Sequence, residues 1–208
     1  PFVRELWGRY WFFAHNGDLK DFTPHLHGAF KPVGDTDSEL AFCWLLQELA
    51  KSHAGVPSVE ELTCTLEELV PKIARYGTFN FLMSNGQALW AHASTKLHYL
   101  VREHPFTEVH LRDEDIKMDL SQHNCPEDRL AIVVTEPLTT NENWIALQPG
   151  EFITFVEGRG DVADGMLSGT LRLRGGGANR RPRSREVSRG SGRRRRHKGL
   201  SLIHISEP

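Results

Sequence analysis

The organised hydrophobic pattern of this sequence fades after Gly158, and residues 172–198 consist mainly of arginine, glycine and serine with almost no large apolar residue. A segment of that composition cannot bury enough apolar surface to offset the entropy lost on ordering. A compact fold must therefore be built from the preceding part, which has the length of one ordinary domain with its own core. We predict one domain over residues 1–157 and a disordered basic tail over residues 158–208.

The charge changes sign near the same place. The 208 residues have a net charge of -2, but residues 1–165 carry 13 basic and 25 acidic residues, a net of -12. The last 43 residues, from Met166, have a net charge of +10. The net negative charge of this domain disfavours binding to nucleic acid. The basic run at residues 193–196 leaves a nucleic-acid-binding tail as one hypothesis, although no aromatic residues alternate with the arginines.

The two ends of the chain are unusual. It begins at Pro1 rather than at a methionine, so we expect a missing segment before it. The last nine residues, LSLIHISEP, are apolar again but match no predicted element. They resemble translated linker sequence, and the sequence leaves open whether the tail is native.

The cysteine content and hydropathy point to a cytoplasmic protein. Three cysteines without a CxxC spacing do not make a disulfide framework, which favours a reducing compartment. No apolar run approaches the roughly 20 residues that span a bilayer, and no signal peptide opens the chain. We therefore expect no membrane partner.

The local patterns predict two helices followed by many strands. Thr36 and Glu39 have capping-box spacing, and Ser58 and Glu61 repeat it, so each pair predicts the start of a helix. Pro71 is expected to kink or end the second helix. An Asn-Gly turn at residues 85–86 predicts a hairpin. Strands are expected at 7–14, 79–83, 88–91, 97–101, 109–111, 130–135 and 152–156. This order predicts sheets with helices packed on their faces.

Two features could bind a substrate. The strand at 7–14 stops at His15-Asn16-Gly17, where a side-chain amide lies beside a flexible backbone N–H. That pair is suited to stabilising an oxyanion during acyl transfer, but Asn-Gly is also an ordinary turn. Asp37, in the first helical turn, could bind a substrate ammonium or simply complement the helix dipole.

The thiols and histidines give no clear site. Cys43 falls within the first helix and is expected to be buried, whereas Cys64 lies opposite the apolar stripe of the second helix. Cys125 has no positive surroundings that would favour its thiolate. His25 and His27 could share a face as metal ligands, but no third ligand follows at a recognisable spacing. We predict no metal site.

Four blocks of sequence together resemble the glutaminase domain of class II glutamine amidotransferases, most closely the small stand-alone bacterial YafJ type. They are AHNG at 14–17, TDSE at 36–39, NFLMSNGQALWA at 80–91 and VVTEPLTTNENWIALQPGE at 133–151. The resemblance covers about residues 1–157. It implies the α+β fold of N-terminal-nucleophile hydrolases, an αββα sandwich of antiparallel sheets, here incomplete at its N-terminus.

The resemblance also implies roles for three residues. Asn16 matches the oxyanion-hole amide and Gly17 its backbone donor, while Gly17 and Asp37 match the groups that bind the α-amino end of glutamine. The family's nucleophile is an N-terminal cysteine, which this sequence lacks; Pro1-Phe2 matches the end of a His-Pro-Phe segment that follows it.

The implied activity belongs to the complete protein. That protein would hydrolyse the side-chain amide of glutamine to glutamate and ammonia without a cofactor, and the present chain would be inactive alone. A γ-glutamyl amidohydrolase of the same fold, acting on a larger amide, is the alternative. The ammonia acceptor and the oligomeric state stay open.

Overall fold

The computed structural model describes residues 1–112, 117–121, 125–162 and 202–203. These residues form two helices and twelve strands. In chain order they are β1 Phe2–Leu6, β2 Arg9–Asn16, α1 Asp37–Ser52, α2 Val59–Ala74, β3 Asn80–Ser84, β4 Ala88–His92, β5 Leu97–Glu103, β6 Glu108–His110, β7 Lys117–Asp119, β8 Arg129–Val134, β9 Ile145–Leu147, β10 Phe152–Val156, β11 Arg159–Val162 and β12 Leu202–Ile203.

Most strands belong to two sheets. The larger sheet has six antiparallel strands in the order β1-β2-β3-β4-β10-β11, and the smaller one has the order β12-β8-β5-β9. In the smaller sheet β5 runs antiparallel to β8 and β9, and only β12 runs parallel to its neighbour. β6 and β7 form a separate antiparallel pair. Antiparallel sheets combined with helices confirm the predicted α+β class.

The core lies in two layers, one on each face of the larger sheet. On one face, Trp11 of β2 stacks on Trp90 of β4 with ring centroids 5.7 Å apart, and Phe13 stacks on Phe42 of α1 at 5.1 Å. The apolar stripes of both helices complete this layer. On the other face, strands β3, β4 and β10 pack against the smaller sheet. The second helical layer of the expected sandwich has no counterpart among the described residues, where both helices lie on one face.

The helix starts agree with the capping patterns, with one difference. Ser58 and Glu61 form a complete capping box. Thr36 accepts the Glu39 N–H at 3.2 Å, but the Glu39 carboxylate binds other groups instead of returning to Thr36. Pro71 does not end α2, which continues to Ala74. It is exposed in the last turn, where few helical hydrogen bonds remain to be lost.

The larger sheet continues beyond the boundary predicted at residue 157. Glu157 and Gly158, with φ of 50° and 75°, form a two-residue turn that brings β11 back along β10. A glutamate with positive φ is uncommon, so this turn has a weak sequence signal. The larger sheet therefore extends to Val162, five residues past residue 157.

The final residues also differ from the prediction. Leu202 and Ile203 were assigned to no element, yet they pair with Ile132 and Val133 of β8. The rest of the predicted tail, including the basic run at 193–196, lies outside the described residues. No helix in the described part of the chain has the length and apolar character needed to cross a membrane.

Candidate active site

The predicted oxyanion residues lie where β2 leaves the larger sheet. Asn16 is the last residue of β2 and is opposite Asn80 of β3. Side chains alternate along a strand, so Asn16 is on the opposite face from Trp11 and Phe13, which pack under the helices. Asn16 accordingly lines a small cavity of about 10 Å³ together with Leu97 and Val133 of the smaller sheet. A cavity of that size holds about one water molecule.

Asn80 holds the backbone at Asn16 and was not predicted as a site residue. Its side chain is almost fully buried, and its Nδ2 donates to the Asn16 carbonyl at 3.2 Å and to Thr95 Oγ1 at 2.8 Å. Its Oδ1 accepts the backbone N–H groups of Ser94 at 2.9 Å and Thr95 at 3.0 Å. All four hydrogen-bonding positions of this amide are therefore occupied.

The first turn of α1 binds the chain on both sides of Asn16 and Gly17. Ser38 Oγ lies 2.8 Å from His15 Nδ1. Asp37 Oδ2 accepts the Leu19 N–H at 2.7 Å, and its Oδ1 accepts the Ser38 N–H at 2.7 Å. The structure thus brings Asp37 next to the segment that contains Asn16 and Gly17. Asp37 has a structural function there that the sequence did not suggest.

His15 is held as a neutral ring. Its Nε2 lies 3.0 Å from the Thr78 carbonyl, and because a carbonyl only accepts, Nε2 carries the proton. In the neutral ring Nδ1 accepts from the Ser38 hydroxyl, whose oxygen also lies 3.2 Å from Asp37 Oδ1. Burial lowers the pKa of His15 below its usual range, although the Thr78 carbonyl and the charges of Asp37 and Asp18 act in the opposite direction.

Two glycines allow the segments at 17–19 and 76–78 to approach each other. A β-carbon on Gly17 would lie 1.9 Å from the Thr78 carbonyl oxygen, and one on Gly77 would lie 2.0 Å from the Asp18 carbonyl oxygen. Neither position can carry a side chain without moving the backbone. Leu19 forms an isolated bridge with Gly77, and the Lys20 N–H donates to the Tyr76 carbonyl at 2.9 Å.

Two buried polar side chains of α1 shape the long loop between β2 and α1. Glu39 accepts the N–H groups of Val33 at 3.0 Å and Gly34 at 2.8 Å, and it also binds Arg4. Gln47 accepts the His27 N–H at 2.5 Å and donates to the His25 carbonyl at 3.1 Å. Donated backbone hydrogen bonds, that of Val33 first, lower the pKa of Glu39 and keep its carboxylate charged.

The thiols lie apart from this network. Cys43 is buried in α1 as predicted, and burial raises the pKa of its thiol. Cys64 is exposed as predicted, and Cys125 is exposed as well. In the parts of the chain described here, none of the three lines the cavity at Asn16.

His25 and His27 contact each other without forming a metal site. Their ring centroids are 4.9 Å apart with the rings nearly perpendicular. Among the described residues no three His, Cys, Asp or Glu side chains lie close enough together to hold a metal ion.

Comparison with known proteins agrees with the resemblance noted in the sequence. The family model for class II glutamine amidotransferases matches residues 1–170. A relative from Haemophilus influenzae, named "Putative glutamine amidotransferase", is 40% identical over 158 residues, which is 76% of this chain and 54% of the relative. Escherichia coli YafJ, with the same description, is 41% identical over 76% of this chain and 62% of its own length.

A solved structure agrees as well. A predicted glutamine amidotransferase from Pseudomonas aeruginosa superposes with a TM-score of 0.69 at 42% identity, over 77% of this chain and 63% of that one. The chain thus spans between half and two thirds of the length of the relatives it matches. Since the family model matches most of its residues, this chain belongs to the class II glutamine amidotransferases.

Proposed function

We propose that the complete protein hydrolyses the side-chain amide of glutamine to glutamate and ammonia through a cysteine thioester, and that this chain is its oxyanion-binding and substrate-binding part. Family membership supports the class of reaction. The main structural support for the proposed site is the position of Asn16 and Gly17, where β2 ends. Asn80 holds them on one side and the first turn of α1 on the other.

The proposed reaction uses these groups in sequence. A thiolate attacks the carboxamide carbon of glutamine, forming a C–S bond while the carbonyl electron pair moves onto oxygen. The Asn16 amide and the Gly17 N–H stabilise that oxyanion. The α-amino group of the N-terminal cysteine takes the thiol proton before this attack; when collapse of the intermediate breaks the C–N bond, it gives that proton to the leaving ammonia. Water then cleaves the thioester, releasing glutamate and restoring the thiol.

Asp37 is proposed to bind the α-ammonium group of glutamine together with Gly17. Each Asp37 oxygen accepts one backbone N–H, from Leu19 or from Ser38. A carboxylate oxygen has a second lone pair, and although the Ser38 hydroxyl also lies 3.2 Å from Oδ1, Oδ2 can still accept a hydrogen from an ammonium group. The two backbone hydrogen bonds would hold the carboxylate in the orientation that binding requires.

We propose that none of the three cysteines of this chain is the nucleophile and that the 208 residues alone are inactive. Cys43 is buried inside α1 with a raised thiol pKa, which disfavours the thiolate. Cys64 and Cys125 are exposed and lie outside the network around Asn16. The N-terminal cysteine would belong to a segment outside these residues. The three free thiols also support our proposal of a cytoplasmic location.

The test compares this chain with a longer protein that carries an N-terminal cysteine ahead of residue 1. A diazo ketone analogue of glutamine should label that cysteine only, and glutamate release should appear only in the longer protein. Asn16→Ala should lower kcat/KM about 100- to 1,000-fold, while the exposed control Asn143→Ala should leave it unchanged. Label on Cys64 or Cys125 with turnover by the short chain would overturn the proposal.

The same longer protein tests the substrate. Glutamine should be turned over at least as efficiently as γ-glutamyl amides with larger leaving groups. If kcat/KM is higher for a larger amide, that amide and not glutamine is the preferred substrate. The proposed roles of Asn16 and Gly17 would still stand.

A further inference from the structure

A wide groove lies beside the loop that follows the candidate site. It has a volume of about 550 Å³ and is lined by loop residues 22–25 and His27, by Trp44 and Lys51 of α1, and by the end of α2. Small-molecule sites usually enclose about 300–1,000 Å³, so the groove is large enough for a metabolite. Neither the proposed glutaminase reaction nor its substrate uses this groove.

The charge of the groove is opposite to that of the domain around it. Residues 1–165 carry a net charge of -12. The groove is nevertheless lined by Lys51, Lys72 and Arg75 against a single carboxylate, Glu48, which already binds Lys51 at 2.7 Å. In the described chain no carboxylate lies within 4.0 Å of Lys72 or Arg75, although most other cations of the domain have such a partner.

Lys72 and Arg75 are arranged to act together. They are three residues apart at the C-terminal end of α2, a spacing that places two side chains on one face of a helix. The helix dipole explains one cation in a last turn, but it does not explain why both line a groove with Lys51 of another helix. The Arg75 guanidinium lies 5.0 Å from the centre of the Tyr76 ring, which holds it against the groove wall.

The floor of the groove is aromatic and well fixed. Phe22 is buried and packs edge-on against Trp44, with centroids 6.0 Å apart, and against Tyr76 at 5.2 Å. The buried Gln47 side chain anchors the loop wall through the backbone of His25 and His27. Half-buried Trp44 and Tyr76 therefore present apolar surface beside the cations.

We propose that this groove binds a small molecule that carries a phosphate group. Arg75 and Lys72 bind the phosphate, because a guanidinium can donate two parallel hydrogen bonds to phosphate oxygens and an ammonium adds a point charge. Trp44 and Tyr76 contact the organic part of the ligand. The loop wall begins at Phe22, five residues after Gly17, and between them the Lys20 N–H donates to the Tyr76 carbonyl, so a bound ligand would also brace the segment leaving the candidate site.

The experiment is an NMR titration of the 208-residue chain with phenyl phosphate, which has both a phosphate and a flat ring. Ionic strength is held constant with sodium chloride, so that general screening of surface charge does not vary. We expect saturable shifts confined to the residues of the groove. Phenol should cause no saturable shift, and inorganic phosphate should bind at the same residues but more weakly.

Two double variants decide the outcome. Lys72→Gln/Arg75→Gln removes the two groove cations that have no carboxylate partner in the described chain and should weaken phenyl phosphate binding at least 10-fold. The control Lys96→Gln/Arg112→Gln removes two exposed cations that bind Glu136 outside the groove and should leave binding unchanged. The absence of saturable shifts in the groove, or equal weakening by both variants, would overturn the proposal. The readout is binding alone, so it is independent of glutaminase activity.

Discussion

Gly17 and Thr78 lie so close together that a β-carbon on Gly17 would stand 1.9 Å from the Thr78 carbonyl oxygen. The same carbonyl accepts the His15 Nε2–H at 3.0 Å. One oxygen atom therefore limits the residue type at position 17 and also orients the histidine two residues earlier. The backbone of the candidate site is shaped by packing as much as by any requirement of the reaction.

Substitution of Gly17 should therefore destabilise the fold itself. Gly17→Ala should lower the free energy of unfolding by about 3 kcal/mol, because the backbone must move away from Thr78. Gly55→Ala is the control, since a β-carbon there meets nothing within 4 Å, and it should be nearly neutral. Urea denaturation of both variants measures the difference. A Gly17→Ala protein as stable as Gly55→Ala would contradict the close approach.

Asn80 and Asn85 form a matched pair for testing the role of a buried amide. Both are nearly fully buried, and each Oδ1 accepts two backbone N–H groups. Asn80 Nδ2 donates to Asn16 and Thr95, whereas Asn85 Nδ2 has no partner within the described chain. Substitution by aspartate keeps one acceptor and replaces the amide donor with a second acceptor oxygen, which in Asn80→Asp faces the Asn16 carbonyl.

Asn80→Asp should therefore lower the unfolding free energy by at least about 2 kcal/mol more than Asn85→Asp does, because it loses two hydrogen bonds and places an oxygen against the Asn16 carbonyl. Denaturation at neutral pH measures the unfolding free energies of both variants. Each variant buries a carboxyl group, so that cost is common to the two. Equal losses would show that Asn80 does not hold the chain at Asn16 through its Nδ2.

The buried histidines predict a loss of stability on acidification. Burial lowers the pKa of both His15 and His92. The folded state then keeps these rings neutral while the unfolded chain takes up protons near the ordinary value of about 6.5. Their stabilising contribution is thus complete above about pH 6.5 and is lost as pH falls toward the lower folded values, with a slope of at most about 1.4 kcal/mol per pH unit for each histidine.

Denaturation between pH 5 and 8 measures this slope. The variants His15→Gln and His92→Gln should each flatten it, and His98→Gln, at a half-buried histidine, is the control. The lowered pKa values of Glu39 and Glu142 affect stability only at pH values below this range. Burial raises the pKa of Glu67, which opposes the trend near pH 5, so the comparison with variants is decisive. An unchanged slope in both variants would contradict the neutral rings.

Glu39 should contribute more to stability than its place in the first turn of α1 alone suggests. It binds Arg4 and two backbone N–H groups while almost fully buried. Glu39→Ala should lower the unfolding free energy by about 3 kcal/mol, since the donors are left without an acceptor. Glu136→Ala, which removes an exposed carboxylate that binds two exposed cations, should cause no measurable change. Comparable losses in the two variants would contradict the role of Glu39.

The sequence was informative where the structural signal is local. The capping pairs at Thr36 and Ser58 and the hairpin around the turn at residues 85–86 all lie in the structure where they were predicted. Each depends on residues within four positions of one another. Strand β1 was missed although its partner β2 follows at once, because the turn between them places Trp7 at positive φ, where a tryptophan is uncommon. Strands β7 and β9 were missed because each has only three residues.

In the candidate site, too, only the features that depend on neighbouring residues could be predicted. Asn16 and Gly17 are recognisable as a dipeptide, but Asn80 is 64 positions away and acts through a side-chain bond to a backbone carbonyl. An asparagine among apolar strand residues was the only available sign. The contact of Gly17 with Thr78 has no sequence pattern, because a carbonyl oxygen is common to every residue type.

The arrangement of Glu39 and Gln47 has a consequence for the order of folding. These two side chains, eight residues apart on α1, supply the hydrogen bonds that hold the loop at residues 33–34 and 25–27. That part of the loop has few partners until the helix exists, so α1 serves as its template. We expect the loop to become ordered only after α1 has formed, and variation in loop length to be tolerated best between the two attachment points.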